Sequence, residues 1–484
     1  MSMARYIIAA ALLTGSAFVA AAGKPLSISL TPSAQTVTEG QSASLCLNKS
    51  GGNGRQTAAK VTTSDGWSGS VVPGSCFTIP TKDDALVNGA RDIIVTATAS
   101  TGVTAIAVIH ELDNDVAPPP PTNGPSGEAT IADNFNTASG IEQTWYGPSG
   151  RGGIAPASAD PVGAFRLFCG AGQLLKDDPL VYPGQPGASH LHQFFGNLGA
   201  NASSNYNSLR TSGDSTCDIG SVPNNRSAYW MPAMMDGAGG VVKPNWLKVY
   251  YKRNPKSDPM CKSPDQGGIG ICTDLPNGIR YVFGYNMKTM SGGPNDLNSQ
   301  DSGAITFQCW SNNEGAPAVA GYFHNLRDIV AAGCPAGALL MIVAAAPICW
   351  DGVNLDSADH RSHMAMANGP MYPGQFFRAC PSTHPYLIDS LEVQAAFRTD
   401  ANFVAGKWHL SSDEMVPGTV PGSTWHMDYW EAWSPTVKKT WHDNCINLKL
   451  SGSGGDMCNG TQIIGANGPP WPQDFPDHVV VPVQ

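Results

Sequence analysis

An all-β or β-rich fold is predicted here, with an N-terminal β-sandwich followed by a larger, loop-rich, disulfide-bonded β domain. Three observations carry it. Gly (54) and Pro (38) are abundant while charged residues make up only 14% of the 484 positions, a composition that favours short strands joined by ordered turns over long helices. The 12 cysteines are an even number, as expected of a disulfide framework in an exported chain. Between Leu26 and Asp115, short runs such as SISLTP, QSASLCLN, ARDIIVTATA and AIAVIHEL partly alternate polar with apolar residues, the pattern of sheets with one face toward a core.

Taken in order, residues 1–23 read as a secretory signal peptide. Arg5 is the positive flank, Ile7 to Ala20 the apolar core, and FVAAAG the small-residue cleavage region. A secreted or periplasmic location follows, with no membrane span after signal cleavage. Residues 24–115 form the expected β-sandwich, in which Cys46 and Cys76 pair and His110 is structural. Residues 116–159 form a Pro/Gly-rich linker whose VAPPPPTNGPSG start is stiff and extended and whose later part, from 128, is either linker or a strap on the next domain. The main domain spans 160–472, with a tail at 473–484. Its uncharged stretch Ile329–Trp350 has the length of a membrane helix, but Pro335, Gly337 and Pro347 break it, and the uninterrupted Ala338–Ala346 has the length of a buried strand. Cys261 with Cys272 and Cys445 with Cys458 are the expected local bridges; Cys169, Cys217, Cys309, Cys334, Cys349 and Cys380 leave several connectivities open.

A formal charge of -10 without any Lys/Arg run excludes a nucleic-acid backbone as the expected partner. No GxSxG elbow, HExxH helix, phosphate loop or CxxC pair occurs. What remains is histidine, recurring in three short polar blocks far apart in the chain. In SHLHQFFGN, His190 and His192 are two apart, so both imidazoles leave one face of an extended segment. In CWDGVNLDSADHRSHM, Asp351, Asp356 and Asp359 accompany His360 and His363, which would share a face in a helical turn. In TWHMDYWEAW, His426 and Asp428 are again two apart, beside Tyr429, Trp430 and Trp433. A carboxylate that accepts one imidazole N–H fixes the tautomer and raises the basicity of the other nitrogen, whether that nitrogen then holds a proton or a metal. His384 in CPSTHPY is held rigidly between Cys380 and Pro385, and Arg210, Tyr229 and Trp230 offer groups for substrate binding, Arg for a uronic-acid carboxylate and the aromatics, with Trp430, for sugar faces.

In this order, DDPLVYPGQPGASHLHQFFGN, NSLRTSGDSTC, RSAYWMPAM, CWDGVNLDSADHRSHM, CPSTHP and WHMDYWEAW resemble the secreted family known as domain of unknown function nineteen-ninety-six, over about 160–450. The resemblance implies an exported protein of a kind that often carries carbohydrate-binding or wall-associated modules, and it implies no particular reaction. The last block departs from the family's HGDF-like run and following Gly-Trp, keeping His426, Asp428 and Trp433 but not the glycines. The TVTEGQSASLCL start and IHELDND end of the first domain are similar to Calx-beta or immunoglobulin-like modules.

The expectation is therefore a monomeric extracellular enzyme that cleaves a polysaccharide or related cell-wall polymer by hydrolysis or β-elimination. His190, His192, Asp359, His360, His363, His426 and Asp428 form its catalytic set, and Arg210, Tyr229, Trp230, His384 and Trp430 contact substrate. In that scheme His192 or His360 accepts the proton and Asp359 or Asp428 orients an imidazole. Two alternatives use the same residues: a His-ligated divalent-metal protein, with Zn or Cu, or a non-catalytic glycan- or cell-wall-binding protein.

Overall fold

In the computed structural model the chain divides into two compact units, Met1–Ala117 and Pro118–Gln484. The structure describes residues 25–52, 58–83, 91–112, 114, 126–144, 158–218, 222–294, 305–311, 316–466 and 480–482. The signal-peptide segment and most of the Pro-rich spacer lie outside the described residues.

In the first unit, Ser27–Thr31, Ser42–Ser50 and Cys76–Pro80 form one sheet. Ala34–Thr38, Thr104–Leu112, Arg91–Thr98, Ala59–Thr63 and Ser68–Val71 form the other. The period-two pattern sends Ala43, Leu45 and Leu47 of the first sheet, and Ile93, Val95, Ala97, Ala107 and Ile109 of the second, into a single core, so the unit is a β-sandwich. Cys46 and Cys76 sit directly opposite each other across two paired strands and are bonded. His110 pairs with Asp92 across two neighbouring strands on the exposed face.

In the second unit an eight-stranded sheet and a five-stranded sheet contribute to one large core. The eight-stranded sheet runs Ser158–Ala159, Leu450–Ser451, Gly163–Cys169, Trp246–Arg253, Ser390–Arg398, Leu339–Ala345, Thr306–Trp310, Pro317–Phe323. Leu339–Ala345 is the buried strand expected within the uncharged stretch: Leu340, Ile342 and Ala344 enter the main core while Met341 joins Phe168 and Trp246 on the other side. Because both of its faces are covered, its sequence reads as a continuous apolar run instead of alternating. The preceding Ile329 belongs to a six-residue helix, Leu326–Ala331, whose start is capped by Asn325 accepting from the Asp328 amide at 2.8 Å. No helix among the described residues is long and apolar enough to cross a membrane.

All cysteines are paired: Cys169–Cys217, Cys309–Cys334 and Cys349–Cys380 settle the connectivity left open by sequence, beside Cys261–Cys272 and Cys445–Cys458. Residues on either side of position 160 fold with this unit. Asp133 pairs with Arg210, Asn134 accepts from Arg226 at 2.7 Å, and Ile141–Gln143 pairs with Thr461–Ile463. At the other end Val480–Pro482, within the expected tail, pairs as a strand with Gly240–Val242.

The five-stranded sheet positions the histidines. Its order is Leu174–Leu175, His192–Gly196, Ala228–Pro232, His426–Trp430, Arg280–Gly284, and the long pairings are antiparallel. One face, with Phe195, Tyr229, Met231, Tyr429, Tyr281 and Phe283, packs into the main core. Alternate residues point the other way, so Phe194, Trp230 and Val282 build a second apolar cluster, and His192, His426 and Asp428 share its side of the sheet.

Candidate functional site

His192 begins its strand, and the turn before it carries His190, so the two-residue spacing brings their rings to 4.2 Å between centroids. Two strands across, His426 begins the His426–Trp430 strand and lies 5.1 Å from His190 and 6.0 Å from His192, ring to ring. Gly284 is paired with His426 and has φ +92; a Cβ there would meet the Trp425 carbonyl oxygen at 2.7 Å, so only glycine lets the two strands close at this point. Asp177 anchors the His190 loop by accepting from the amides of Gly187 and Ala202, both at 3.0 Å.

Hydrogen bonds behind the rings set their tautomers. His192 donates from Nδ1 to the Asp177 carbonyl at 3.0 Å, and His426 from Nδ1 to the Thr424 carbonyl at 2.9 Å. Each Nε2 is therefore left with its lone pair. The Nε2 atoms of His190 and His192 and both carboxylate oxygens of Asp428 are buried without a hydrogen-bond partner. Burial, reinforced by its neighbour His192, drives His190 down to about 2; burial and His426 drive His192 down to about 3; His426 falls well below its ordinary value for the same two kinds of reason, burial and His190. Asp428 moves the other way, well above the carboxylate range, through burial and the nearby Asp178. Asp178 is itself raised by burial although its Oδ1 accepts from the amides of Leu180 and Val181.

This is a set of neutral imidazoles beside a buried carboxylate whose ionised form is favoured by the charge of Arg361 but outweighed by burial and Asp178. One ligand atom each from His190, His192 and His426 lies within 4.8 Å of the others, and the same holds for Asp178, His192 and Asp428. The two groups share His192, whose Nδ1 is already committed to the Asp177 carbonyl, so Nε2 is the donor it can offer to an ion. The chemistry of the donors fits Zn or Cu, which accept imidazole nitrogen and carboxylate oxygen without a thiolate.

A cleft of about 280 Å³ is lined by His190, His426, Asp428 and Asp178 together with Asp359, His360 and Arg361, and by Tyr182, Tyr285 and Lys288. The expected convergence of the three blocks is thus present, with His192 enclosed beneath the cleft. In the Asp359 block the structure departs from the helical expectation: His360 has φ 58, which reverses the chain, so His360 faces the cleft while His363 is buried with Nδ1 against Ser357 Oγ at 2.8 Å and Nε2 against the Arg280 carbonyl at 3.0 Å. Burial holds His363 down at about 4. His360 Nδ1 is 2.8 Å from Asp356 Oδ1, and that hydrogen bond raises its pKa. Asp356, not Asp359, is the orienting carboxylate. Asp359 instead ties the turn, accepting from the Ser357 and Ser362 hydroxyls and the Arg361 and Ser362 amides; these bonds outweigh its burial and hold it at about 2.

The residues expected to bind substrate are interior. Arg210 is fully buried, donating to the Ala432 and Ile131 carbonyls and paired with Asp133. Tyr229 points into the main core with its hydroxyl 2.6 Å from that of Tyr251, and Trp230 stacks on Phe194 with centroids 5.4 Å apart. Trp430 lies beneath the guanidinium of Arg280, 4.9 Å from its ring centre, and is outside the cleft lining. His384 spends Nε2 on the Ser362 carbonyl at 2.9 Å and Nδ1 on the Thr383 hydroxyl, so it braces the loop. Missed by sequence reasoning were Asp178, Tyr285 and Arg361. Asp178 alone had a usable signal, the acidic pair Asp177-Asp178 just before the first histidine block.

A sheet with one core face and one His/Asp face defines a β protein with a cluster able to coordinate a divalent cation. The chain belongs to the family described as Domain of unknown function (DUF1996), whose model matches residues 178–433, a span that contains all the cleft residues named above. No curated protein matches. Two solved structures are similar in part: the N-terminal four Ig domains of Dscam1 isoform 6.9 (16% identity, 19% of this chain and 22% of that one, TM-score 0.14) and the N-terminal eight Ig domains of Down Syndrome Cell Adhesion Molecule isoform 1.30.30 (10% identity, 85% and 51%, TM-score 0.15). The chain spans about a fifth and about half of those structures. Scores this low carry no argument about fold or function.

Proposed function

We propose that this protein holds a divalent metal ion, Zn or Cu, through Nε2 of His190, His192 and His426 with Asp428 as the carboxylate ligand. The observation that carries this reading is the group of buried, partnerless donor atoms: two imidazole nitrogens and both oxygens of one carboxylate. Leaving such atoms unsatisfied costs about 1–3 kcal/mol each, and a cation removes that cost for all of them together. The Nδ1–H bonds to main-chain carbonyls are the usual arrangement behind ligating histidines. Because His190, His426 and Asp428 line the cleft, an ion held there would be accessible to a water or a ligand, as in catalytic metal centres.

A metal-free acid–base mechanism with His192 as proton acceptor is the weaker reading, since an enclosed imidazole held at about 3 is a poor base near neutral pH. The leader-like start and the six disulfides support export. A polysaccharide or wall polymer as the partner rests on the sequence resemblance, and the interior aromatics do not add to it.

The test is metal analysis of tag-free protein with calorimetric titration of Zn and Cu. One equivalent bound, and affinity reduced at least 100-fold in His192→Ala and His426→Ala, is expected. Absence of binding at micromolar metal, or equal affinity in both variants, refutes the proposal.

A further inference from the structure

Resting on that metal reading, we propose that Asp356 and His360 form the proton relay of the cleft. In this scheme His360 Nε2 takes a proton from a water held in the cleft, and Asp356 is the positioning residue behind it. His360 lines the same cleft as His190, His426 and Asp428 yet stands outside the groups able to ligate the ion. With Nδ1 committed to Asp356 at 2.8 Å, Nε2 is the nitrogen left to face the cleft. Asp356 is held in turn by Arg280 Nε at 3.2 Å.

The backbone places this ring with respect to the ligands. The His360 carbonyl accepts from the Val282 amide at 2.9 Å, and Val282 is the strand partner of Asp428. The turn carrying His360 is therefore fastened to the strand beside a ligand residue. His360 also holds φ 58, a conformation that a non-glycine residue enters at a cost, and such cost concentrates where a side chain must be aimed.

The step balances simply. As the oxygen of the attacking water bonds to the electrophilic centre, one of its O–H bonds breaks, its proton passes to Nε2, and the imidazolium is stabilised by the carboxylate of Asp356; an ion held by the neighbouring histidines would polarise that water. The same imidazolium then returns the proton to the leaving oxygen. The reaction class is hydrolysis, with a substrate bearing an electrophilic carbonyl or comparable centre. Besides Asp356, the charges acting on His360 are Asp178 and Asp359, which favour its cation, while burial opposes it; Arg361 adjoins it and Arg280 neutralises Asp356.

The experiment uses the full chain loaded with zinc, 4-nitrophenyl acetate as probe, and calorimetry for zinc affinity. His360→Asn is the chosen variant because asparagine tolerates a positive φ. Zinc affinity within twofold of the parent, ester hydrolysis reduced about 100-fold, and partial recovery on adding imidazole are expected. Asp356→Asn should shift the rising limb of the pH–rate profile to lower pH while lowering its plateau. An unchanged rate in His360→Asn, a loss that imidazole does not repair, or zinc-bound parent no faster than free zinc overturns the relay alone. Failure of the parent to bind zinc overturns the metal reading and the relay with it.

Discussion

Acidification of the metal-free protein should unfold it through its buried histidines, and His192 allows the size of the effect to be worked out. The ring is wholly buried and sits at about 3 in the folded state against an ordinary 6.5. A base whose pKa is depressed on folding stabilises the fold fully above 6.5, and that stability is lost as pH falls toward 3, because the unfolded chain takes up the proton first. Each pH unit in that window removes about 1.4 kcal/mol per histidine. His192 alone thus costs about 2 kcal/mol at pH 5 and about 4 kcal/mol by pH 3. His190 and His426, lowered by the same burial, steepen the slope. Urea denaturation of chelator-treated protein at half-unit steps from pH 7.5 to 4.5 measures this directly, and His192→Phe, which keeps a ring in the site but cannot titrate, is the control. The variant's stability should fall less steeply with acid, closing on the parent by about 2 kcal/mol at pH 5. Parallel curves for the two proteins would refute the assignment of the slope to His192.

Asp428→Asn should act in opposite directions on the two forms. Because the folded carboxyl is raised by burial, its contribution is present at low pH and lost as pH rises, so the metal-free variant gains thermal stability at pH 7 while zinc affinity falls at least tenfold; lower stability of the metal-free variant would contradict this. Arg210→Ala strips partners from Asp133 and two carbonyls and should cost about 3–5 kcal/mol, read as a lower unfolding midpoint with zinc stoichiometry unchanged. Opening the Cys46–Cys76 bridge with a double Ala substitution removes a 30-residue loop closure and should lower the first unit's stability by about 3.5 kcal/mol, measured by calorimetry.

What the sequence disclosed about the site was whatever strand periodicity alone determines. Two-residue spacing was enough to align His190 with His192 and to put His426 and Asp428 on one face. It could not show that the Ala228–Pro232 strand is covered on both sides, which is why Tyr229 and Trp230 looked available and are core. His360 and His363 defeated the helical reading because a single positive φ separates their directions, and nothing in ADHRSH marks it. Asp356 and Asp359 are three residues apart and of one type, so only the fold decides which carboxylate meets the ring. Local disulfides were legible from short separations; Cys169–Cys217 and Cys349–Cys380 depended on strands and loops that meet through tertiary packing.

The span that defines the family and the span that folds are different lengths of chain. Residues 178–433 carry every cleft residue, but an excised fragment of that length would lack Gly163–Cys169, an internal strand of the large sheet, and with it the partner of Cys217. It would also lose Trp441, whose ring stacks on Phe165 at 5.1 Å, and the Asp133 carboxylate that answers the buried Arg210. The segment that marks the family in this protein is therefore completed from outside it, by a strand, a thiol, an aromatic plate and a counter-charge that its flanks supply.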